Sequence, residues 1–149
     1  MRTGARKGGV MAGYDRSLLK TELTRDEGRM KRIYVDTVGK VSGGIGRNLT
    51  DKGFRDNEID LMYENDVAET EAWLDRNLTW WRSLDPVRQR VMMNMAFNMQ
   101  GKLLTFVNTL AAIQRGDYGA AADGMLNSLW AKQVGARARR LADLMRSGT

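Results

Sequence analysis

Two carboxylates and a hydroxyl in the first third of the chain are the residues whose types and spacing could do chemistry. Glu27 and Asp36 are separated by eight residues, and Ser42 follows six positions after Asp36. Cleavage of a glycosidic bond needs an acid that protonates the leaving oxygen, and a second carboxylate that directs water or stabilises positive charge. The trio therefore predicts acid-base hydrolysis. The alternative is an ordinary pair of solvated surface carboxylates.

The elements around the two carboxylates predict unlike environments for them. Helical periodicity over residues 17–28 ends at a glycine suited to a helix C-cap, so Glu27 is expected at a helix C-terminus. The negative end of the helix dipole disfavours an ionised carboxylate, which favours the acid-competent form of Glu27. Short β-type runs at 33–35 and 40–42 predict a hairpin with Asp36 in its polar turn, where we expect this carboxylate to stay ionised.

The composition narrows both the fold and the chemistry. A chain of 149 residues that is 42% hydrophobic predicts one domain with its own core. It has no cysteine and no histidine, which excludes disulfide frameworks, thiol nucleophiles and Ser/His or Cys/His triads. Carboxylates and hydroxyls must therefore carry any chemistry, and we expect no metal or other cofactor. Residues 1–14, rich in glycine and basic side chains, predict a flexible basic leader ahead of a catalytic domain at 15–149.

The net charge points to a polyanionic partner. Its formal value is +6 and the sequence pI is about 9.9, which nucleic acid, an anionic membrane and an anionic cell wall would satisfy equally. No apolar run approaches the length of a membrane span, and the N-terminus lacks the apolar middle of a signal peptide. We therefore expect the chain to stay in the compartment where it is made.

The pattern after the hairpin predicts at least five helices. The first is a long amphipathic helix over 57–77, with Asp56 or Asn57 as its N-cap. Asp85-Pro86 starts a methionine-rich helix that Gly101 is expected to stop, and this helix should be the central buried one of a larger helical lobe. Further helices are predicted at 103–115, 118–127 and 136–146, with Gly116, Asp117 and Gly148 at their ends. These elements predict an α+β protein with its sheet at one end.

The residues around the carboxylates closely resemble the catalytic stretch of a known family. They are Glu27-Gly28-Arg29, Tyr34-Val35-Asp36-Thr37-Val38-Gly39 and Ser42-Gly43-Gly44-Ile45-Gly46. These motifs are similar to those of the T4-type phage lysozymes, glycoside hydrolase family 24, and the resemblance covers about residues 17–148. Further matching segments are 48–50, 84–88, 94–99, 106–110 and 130–134, with Arg137 and Arg140.

The resemblance implies both a fold and an activity. The fold would be lysozyme-like, with a small N-terminal hairpin lobe and a larger helical lobe joined by the long helix, and a catalytic cleft between the lobes. The activity would be that of a muramidase, an endolysin that cleaves the β-1,4 bond between N-acetylmuramic acid and N-acetylglucosamine during host cell lysis. The family's catalytic trio matches Glu27, Asp36 and Ser42. The implied substrate-binding residues are Asn48, Phe97, Asn98, Thr109 and Arg137, the last expected near Glu27.

Three positions depart from the family pattern. Ser42 stands where the family has threonine, so it keeps the hydroxyl but loses the methyl group that restricts its rotamer. In Met99-Gln100-Gly101-Lys102 the glycine comes one residue later than is usual, and we expect a turn of different length. Arg47 replaces a common histidine and is expected to pair with an acid of the next helix, such as Asp66.

Other segments have an ordinary and a functional interpretation. Three tryptophans, at 73, 80 and 81, fall on or near an apolar helix face and are predicted to be buried rather than to stack on sugars. Gly43-Gly44-Ile45-Gly46 lacks the Lys-Ser/Thr of a phosphate loop, which favours a hairpin. The basic segment over 132–146 is expected to dock through its apolar side, and weak contact with anionic membranes is the alternative.

The rival functions are a noncatalytic module and a different cleavage chemistry. A basic module could bind nucleic acid or cell wall, but no recognition pattern supports nucleic acid. The resemblance implies bacterial peptidoglycan as the partner, and we expect the protein to be a monomer. A lytic transglycosylase would use the same acid without water as the nucleophile. Without an export signal, a lytic protein is expected to accumulate in the host bacterial cytoplasm until a holin-type pore lets it reach peptidoglycan in the periplasm.

Overall fold

The computed structural model describes residues 5–7 and 10–149, and the chain divides into two compact units, Met1–Ile59 and Asp60–Thr149. The strands are β1 (Ala5–Lys7), β2 (Val10–Ala12), β3 (Met30–Val35), β4 (Val41–Gly44) and β5 (Arg47–Asn48). The helices are α1 (Arg16–Glu27), α2 (Leu49–Lys52), α3 (Asp56–Asn77), α4 (Pro86–Met99), α5 (Val107–Gln114), α6 (Tyr118–Leu126), α7 (Leu129–Val134) and α8 (Ala136–Ser147). Short 3-10 helices span Trp81–Ser83 and Gln100–Thr105. The predicted α+β class is confirmed.

Helix α1 is bounded by local signals at both ends. The Asp15 carboxylate accepts the backbone N–H of Leu18 at 2.9 Å and caps the N-terminus, a cap that the sequence pattern did not reveal. At the other end Gly28 has φ +79 and its N–H donates to the Thr24 carbonyl, as the C-cap prediction requires. Glu27 is therefore the last helical residue, as predicted.

The predicted hairpin is present and has a third strand. Strands β3, β4 and β5 form an antiparallel sheet in that order, with Val35 opposite Val41 and Ser42 opposite Asn48. Gly44, the last residue of β4, and Gly46, in the turn before β5, both have positive φ, which confirms that the glycines serve a tight turn. Neither β5 nor the four-residue α2 was predicted, since elements this short carry little periodicity.

Part of the predicted leader also has regular backbone structure. Strands β1 and β2 pair antiparallel, although no strand was predicted among these residues. The boundary between a leader at 1–14 and a catalytic domain at 15–149 stays a prediction.

The second unit is built around one hydrophobic core. Helix α6 packs against α5 and α8, and α4 packs against α8. The buried apolar side chains are Leu74, Leu78, Trp81, Leu84, Val91, Met92, Met95, Ala96, Leu103, Leu110, Ala112, Ile113, Ala121, Ala122, Met125, Trp130, Ala138, Leu141, Ala142 and Met145. Four of them lie on α4, which confirms that this helix is buried. Trp81 is buried as predicted, whereas Trp73 and Trp80 are half-buried against the core.

Several helix ends confirm the sequence signals. Asp85 accepts the N–H of Arg88 at 3.1 Å, with Pro86 at the first helical position of α4. Asp117 caps α6 through the N–H of Ala120, and Gly148 ends α8 in the left-handed conformation. Helix α7, capped by Ser128, was not predicted.

Other ends correct the sequence predictions. Asp56 is the first helical residue of α3 rather than its cap, and Glu58 instead accepts the N–H of Arg55 at 2.7 Å. Gly101 does not stop α4. The helix ends at Met99, and Gln100 takes the C-cap position with φ +49. The positive φ therefore occurs at Gln100, which has a side chain, and not at Gly101. The helix predicted over 103–115 is divided at Phe106 into a 3-10 segment and α5.

Arg88 fixes the C-terminus of α8 to α4. Its guanidinium donates to the carbonyls of Met145 at 2.6 Å and Arg146 at 3.0 Å, and it lies 3.5 Å above the Tyr118 ring. Together with the buried Leu141 on α8, these contacts give the docked helix that the ordinary interpretation of this basic segment requires. Contact with membranes stays a prediction. Within the described part of the chain, no helix combines the length and apolar character needed to cross a bilayer.

Candidate active site

Glu27 lies against the turn between β4 and β5. A Cβ atom built on Gly46 would be 2.8 Å from Oε2 of Glu27, 2.9 Å from its Cδ and 3.0 Å from its Cβ. Contacts this short are hardly ever seen for real Cβ atoms, so a side chain at position 46 would require the Glu27 side chain to move from its present position. The exposed carboxyl group is thus held at the end of α1 and beside the glycine turn.

Asp36 is held by the backbone of its own turn. One carboxylate oxygen, Oδ1, accepts the N–H of Lys40 at 2.8 Å and the N–H of Val38 at 3.0 Å. The Asp36 N–H donates to the Lys40 carbonyl at 2.8 Å, which closes the loop. The Lys40 N–H does most to lower the pKa of Asp36, partial burial opposes it, and Val38, Ser42 and the Lys40 charge lower the pKa further. Asp36 is therefore ionised at neutral pH.

Ser42 adds a hydroxyl to the second oxygen of Asp36. Its Oγ donates to Asp36 Oδ2 at 3.4 Å, and the residue is only 4% exposed. In the sheet, Ser42 stands opposite Tyr34 on one side and Asn48 on the other, and directly opposed residues share a face. The structure thus brings Asp36 and Ser42 together as predicted, with Oδ2 of Asp36 on the Ser42 side.

Asn48, a predicted substrate-binding residue, serves as the N-cap of α2. Its amide oxygen accepts the N–H of Asp51 at 3.1 Å, and its amide nitrogen donates to the Asp51 carboxylate at 2.8 Å. Both polar ends of the side chain are therefore engaged within the first unit. A contact with saccharide stays a prediction.

Arg47 has a different partner from the one predicted. Its guanidinium forms an ion pair with Glu58, not with Asp66, and also donates to the Gly53 carbonyl at 3.4 Å. The hydrogen bond from Arg47 does most to lower the pKa of Glu58, to about 2, helped by the Arg55 N–H. The same hydrogen bond raises the pKa of Arg47. Because Glu58 precedes Asp66 by two helical turns, the pair forms close to the start of α3.

The other predicted site residues lie in the second unit. Phe97 is 42% exposed, and the neighbouring Asn98 accepts the indole N–H of Trp130 at 2.7 Å. The Arg137 guanidinium donates to Asn94 Oδ1 at 2.9 and 2.7 Å. Its expected position near Glu27 stays a prediction.

A groove of about 600 Å³ opens in the second unit. Thr109, the remaining predicted residue, is 94% buried on its wall, and the rings of Phe106 and Trp130 meet edge to face there at 6.2 Å. Neither Trp130 nor Asn94 was predicted to have a role in the site. Both fall inside the matching segments 94–99 and 130–134, which was the available signal.

The described residues contain no cluster of three acidic side chains that could hold a metal ion. The candidate catalytic groups in the first unit are two carboxylates with unlike surroundings and one hydroxyl. Asp36 receives two backbone N–H groups, whereas Glu27 sits at a helix C-terminus beside a glycine. Such a difference suits an acid and a second carboxylate that remains charged.

No family model matches the sequence. Curated relatives do. "Probable T4-type lysozyme 1" and "Probable T4-type lysozyme 2" of Dictyostelium discoideum are each 26% identical, over 89% of this chain and 96% of the relative. The "Pre-baseplate central spike protein Gp5" of Enterobacteria phage T4 is 26% identical over 85% of this chain, which matches 27% of that protein's length. The predicted resemblance of this chain to the T4-type lysozymes is therefore confirmed.

Proposed function

We propose that this protein is a peptidoglycan hydrolase of the muramidase type. The observation that carries the proposal is the Asp36 turn, in which two backbone N–H groups hold one carboxylate oxygen and the Ser42 hydroxyl reaches the other. The similarity to T4-type lysozymes supports the class of enzyme, and the formal charge of +6 suits an anionic cell wall.

The bond to be cleaved is the β-1,4 link between N-acetylmuramic acid and N-acetylglucosamine. Glu27 donates its proton to the leaving oxygen as that bond breaks. Asp36 and Ser42 hold a water molecule at the anomeric carbon, and the water's proton passes to the Asp36 carboxylate as the new C–O bond forms. In this scheme the negative charge of Asp36 also stabilises the oxocarbenium-like transition state. A water nucleophile gives a product with a reducing end.

The proposed setting is lysis of a bacterial host. The protein accumulates in the host cytoplasm and reaches peptidoglycan when a holin-type pore opens.

The test is release of soluble muropeptides from purified Gram-negative peptidoglycan, at low salt and across about pH 5 to 8. We expect Glu27→Gln and Asp36→Asn each to lower the rate by about 10²- to 10⁴-fold, the usual contribution of acid-base groups. Glu22→Gln is the matched control, because Glu22 is an exposed glutamate of the same helix. Circular dichroism checks the folding of every variant.

Each outcome distinguishes the proposal from a rival. If the unmodified protein releases nothing, the hydrolase proposal fails, and DNA or wall binding without release would support a basic binding module. If release occurs but the products lack reducing ends, the enzyme is a lytic transglycosylase. If Glu22→Gln is as inactive as Glu27→Gln, the assignment of Glu27 as the acid is wrong.

A further inference from the structure

The short helix α2 takes over a hydrogen bond that the sheet does not supply. Val41 stands opposite Val35, and since Asp36 donates to the Lys40 carbonyl, the N–H of Val41 points away from β3. Strand β5 pairs only with Ser42 and Gly43, and the chain turns into α2 at the next position. The N–H of Val41 instead donates to the hydroxyl of Thr50 at 2.8 Å.

The preceding residue is tied to the same helix through its side chain. Lys40 Nζ donates to Asp51 Oδ1 at 3.0 Å, and the other oxygen of Asp51 accepts from the Asn48 amide. Lys40 and Val41 are therefore anchored to α2 twice, by a main-chain group and by an ion pair. The backbone N–H of Lys40 is the closer of the two donors to Asp36 Oδ1.

We propose that Thr50 and Asp51 are positioning residues for Asp36. By fixing the main chain at Lys40 and Val41, they keep the Lys40 N–H aimed at Asp36 Oδ1, which leaves Oδ2 turned towards the Ser42 hydroxyl. Neither residue needs to touch the substrate. The inference rests on the proposed function, in which Asp36 and Ser42 hold the attacking water.

Thr50→Val is the decisive variant because it removes the hydroxyl with little change of shape and leaves every charge near Asp36 in place. Those charges are Lys40 on the turn and Asp51 on α2, which faces Lys40. We expect the pKa of Asp36 to rise towards its ordinary value of 3.8 as the Lys40 N–H loses its fixed direction. We also expect kcat to fall about tenfold with KM unchanged, as for a slightly misplaced catalytic group.

Two readouts are measured on the full chain: the Asp36 side-chain ¹³C resonance as a function of pH, and kcat and KM on peptidoglycan. Thr50→Ser, which restores a hydroxyl, must recover the pKa and kcat of the unmodified protein. The control is Thr21→Val, since Thr21 is an exposed threonine of the same unit whose hydroxyl also bonds to a main-chain group. Asp51→Asn is the second variant and is expected to lower kcat less.

The proposal is overturned if Thr50→Val leaves both the Asp36 titration and kcat unchanged, or if Thr21→Val alters them as much. If Thr50→Val fails to fold, the proposal is overturned by an Asp51→Asn variant whose kcat equals that of the unmodified protein. The ¹³C titration needs no enzyme activity, so it still tests the positioning role if peptidoglycan is not cleaved. Failure of the proposed function is thereby distinguished from failure of this inference.

Discussion

The two units of the chain are each stabilised internally, and by different kinds of interaction. In the second unit, twenty hydrophobic side chains are buried, from Leu74 to Met145. In the first unit, among residues 13–59, only Ser42 and Gly43 are buried. Its geometry depends on caps, turns and polar contacts such as those around Asp36. The candidate catalytic residues lie in the unit that buries little apolar surface.

Stability and site geometry therefore depend on different parts of this chain. Burial of apolar area stabilises a fold without regard to direction, whereas a hydrogen-bonded turn fixes where a carboxylate points. Substitutions at the buried apolar positions of the second unit should therefore mainly lower the free energy of unfolding. Substitutions among the polar contacts of the first unit should mainly lower the catalytic rate.

The largest effect on stability is expected from truncating a buried leucine, and the same truncation of an exposed leucine is the comparison. Leu74→Ala removes a fully buried side chain of α3 and should lower the free energy of unfolding by about 2–5 kcal/mol. Leu18→Ala removes the same atoms from α1, where the side chain is 57% exposed, and should change it by less than about 0.5 kcal/mol. Urea unfolding measures both. Equal losses would show that the first unit also depends on apolar burial.

Substitution of a glycine near the β4–β5 turn should destabilise the protein less than Leu74→Ala does, and at Gly46 it should also lower activity strongly. Gly46→Ala and Gly44→Ala both place a side chain at positive φ, which costs about 1–2 kcal/mol. Only at Gly46 would the new Cβ collide with Glu27, since nothing lies within 4 Å of a Cβ at Gly44. We expect Gly44→Ala to keep the muropeptide release rate of the folded protein and Gly46→Ala to lose most of it. Equal release rates in the two variants would contradict the contact.

The features that the sequence predicted correctly are those with local causes. The Asp85-Pro86 start, the Asp117 cap and the Gly148 stop each depend on residues within one helical turn. The hairpin and the approach of Ser42 to Asp36 follow from strand alternation and the short turn between the strands.

The features that the sequence did not predict depend on packing or on distant partners. The local sequence does not distinguish Gly46 from Gly44, because both have positive φ. They differ only in that the Glu27 side chain lies close to Gly46. Gln100 takes a conformation that costs on the order of 1–3 kcal/mol for a residue with a side chain, although a glycine stands next to it. Arg47 could have reached any of several acids on α3, and the fold selects Glu58.

The smallest expected effect is a pH dependence that belongs to the first unit. The pKa of Glu58 is lowered from 4.5 to about 2, so its ion pair contributes stability that is fully present above about pH 4.5 and is lost as the pH falls towards 2. Glu58→Gln should therefore be less stable than the unmodified protein at pH 6, and the difference should shrink between pH 4.5 and 2. The pair is partly exposed, so solvent screening keeps the effect small. Arg47→Met must weaken the same pH dependence, because it removes the donor that lowers the pKa most. The measurement is the urea midpoint of each variant from pH 7 to 2. If the difference between Glu58→Gln and the unmodified protein stays constant over this range, the ion pair is not its cause.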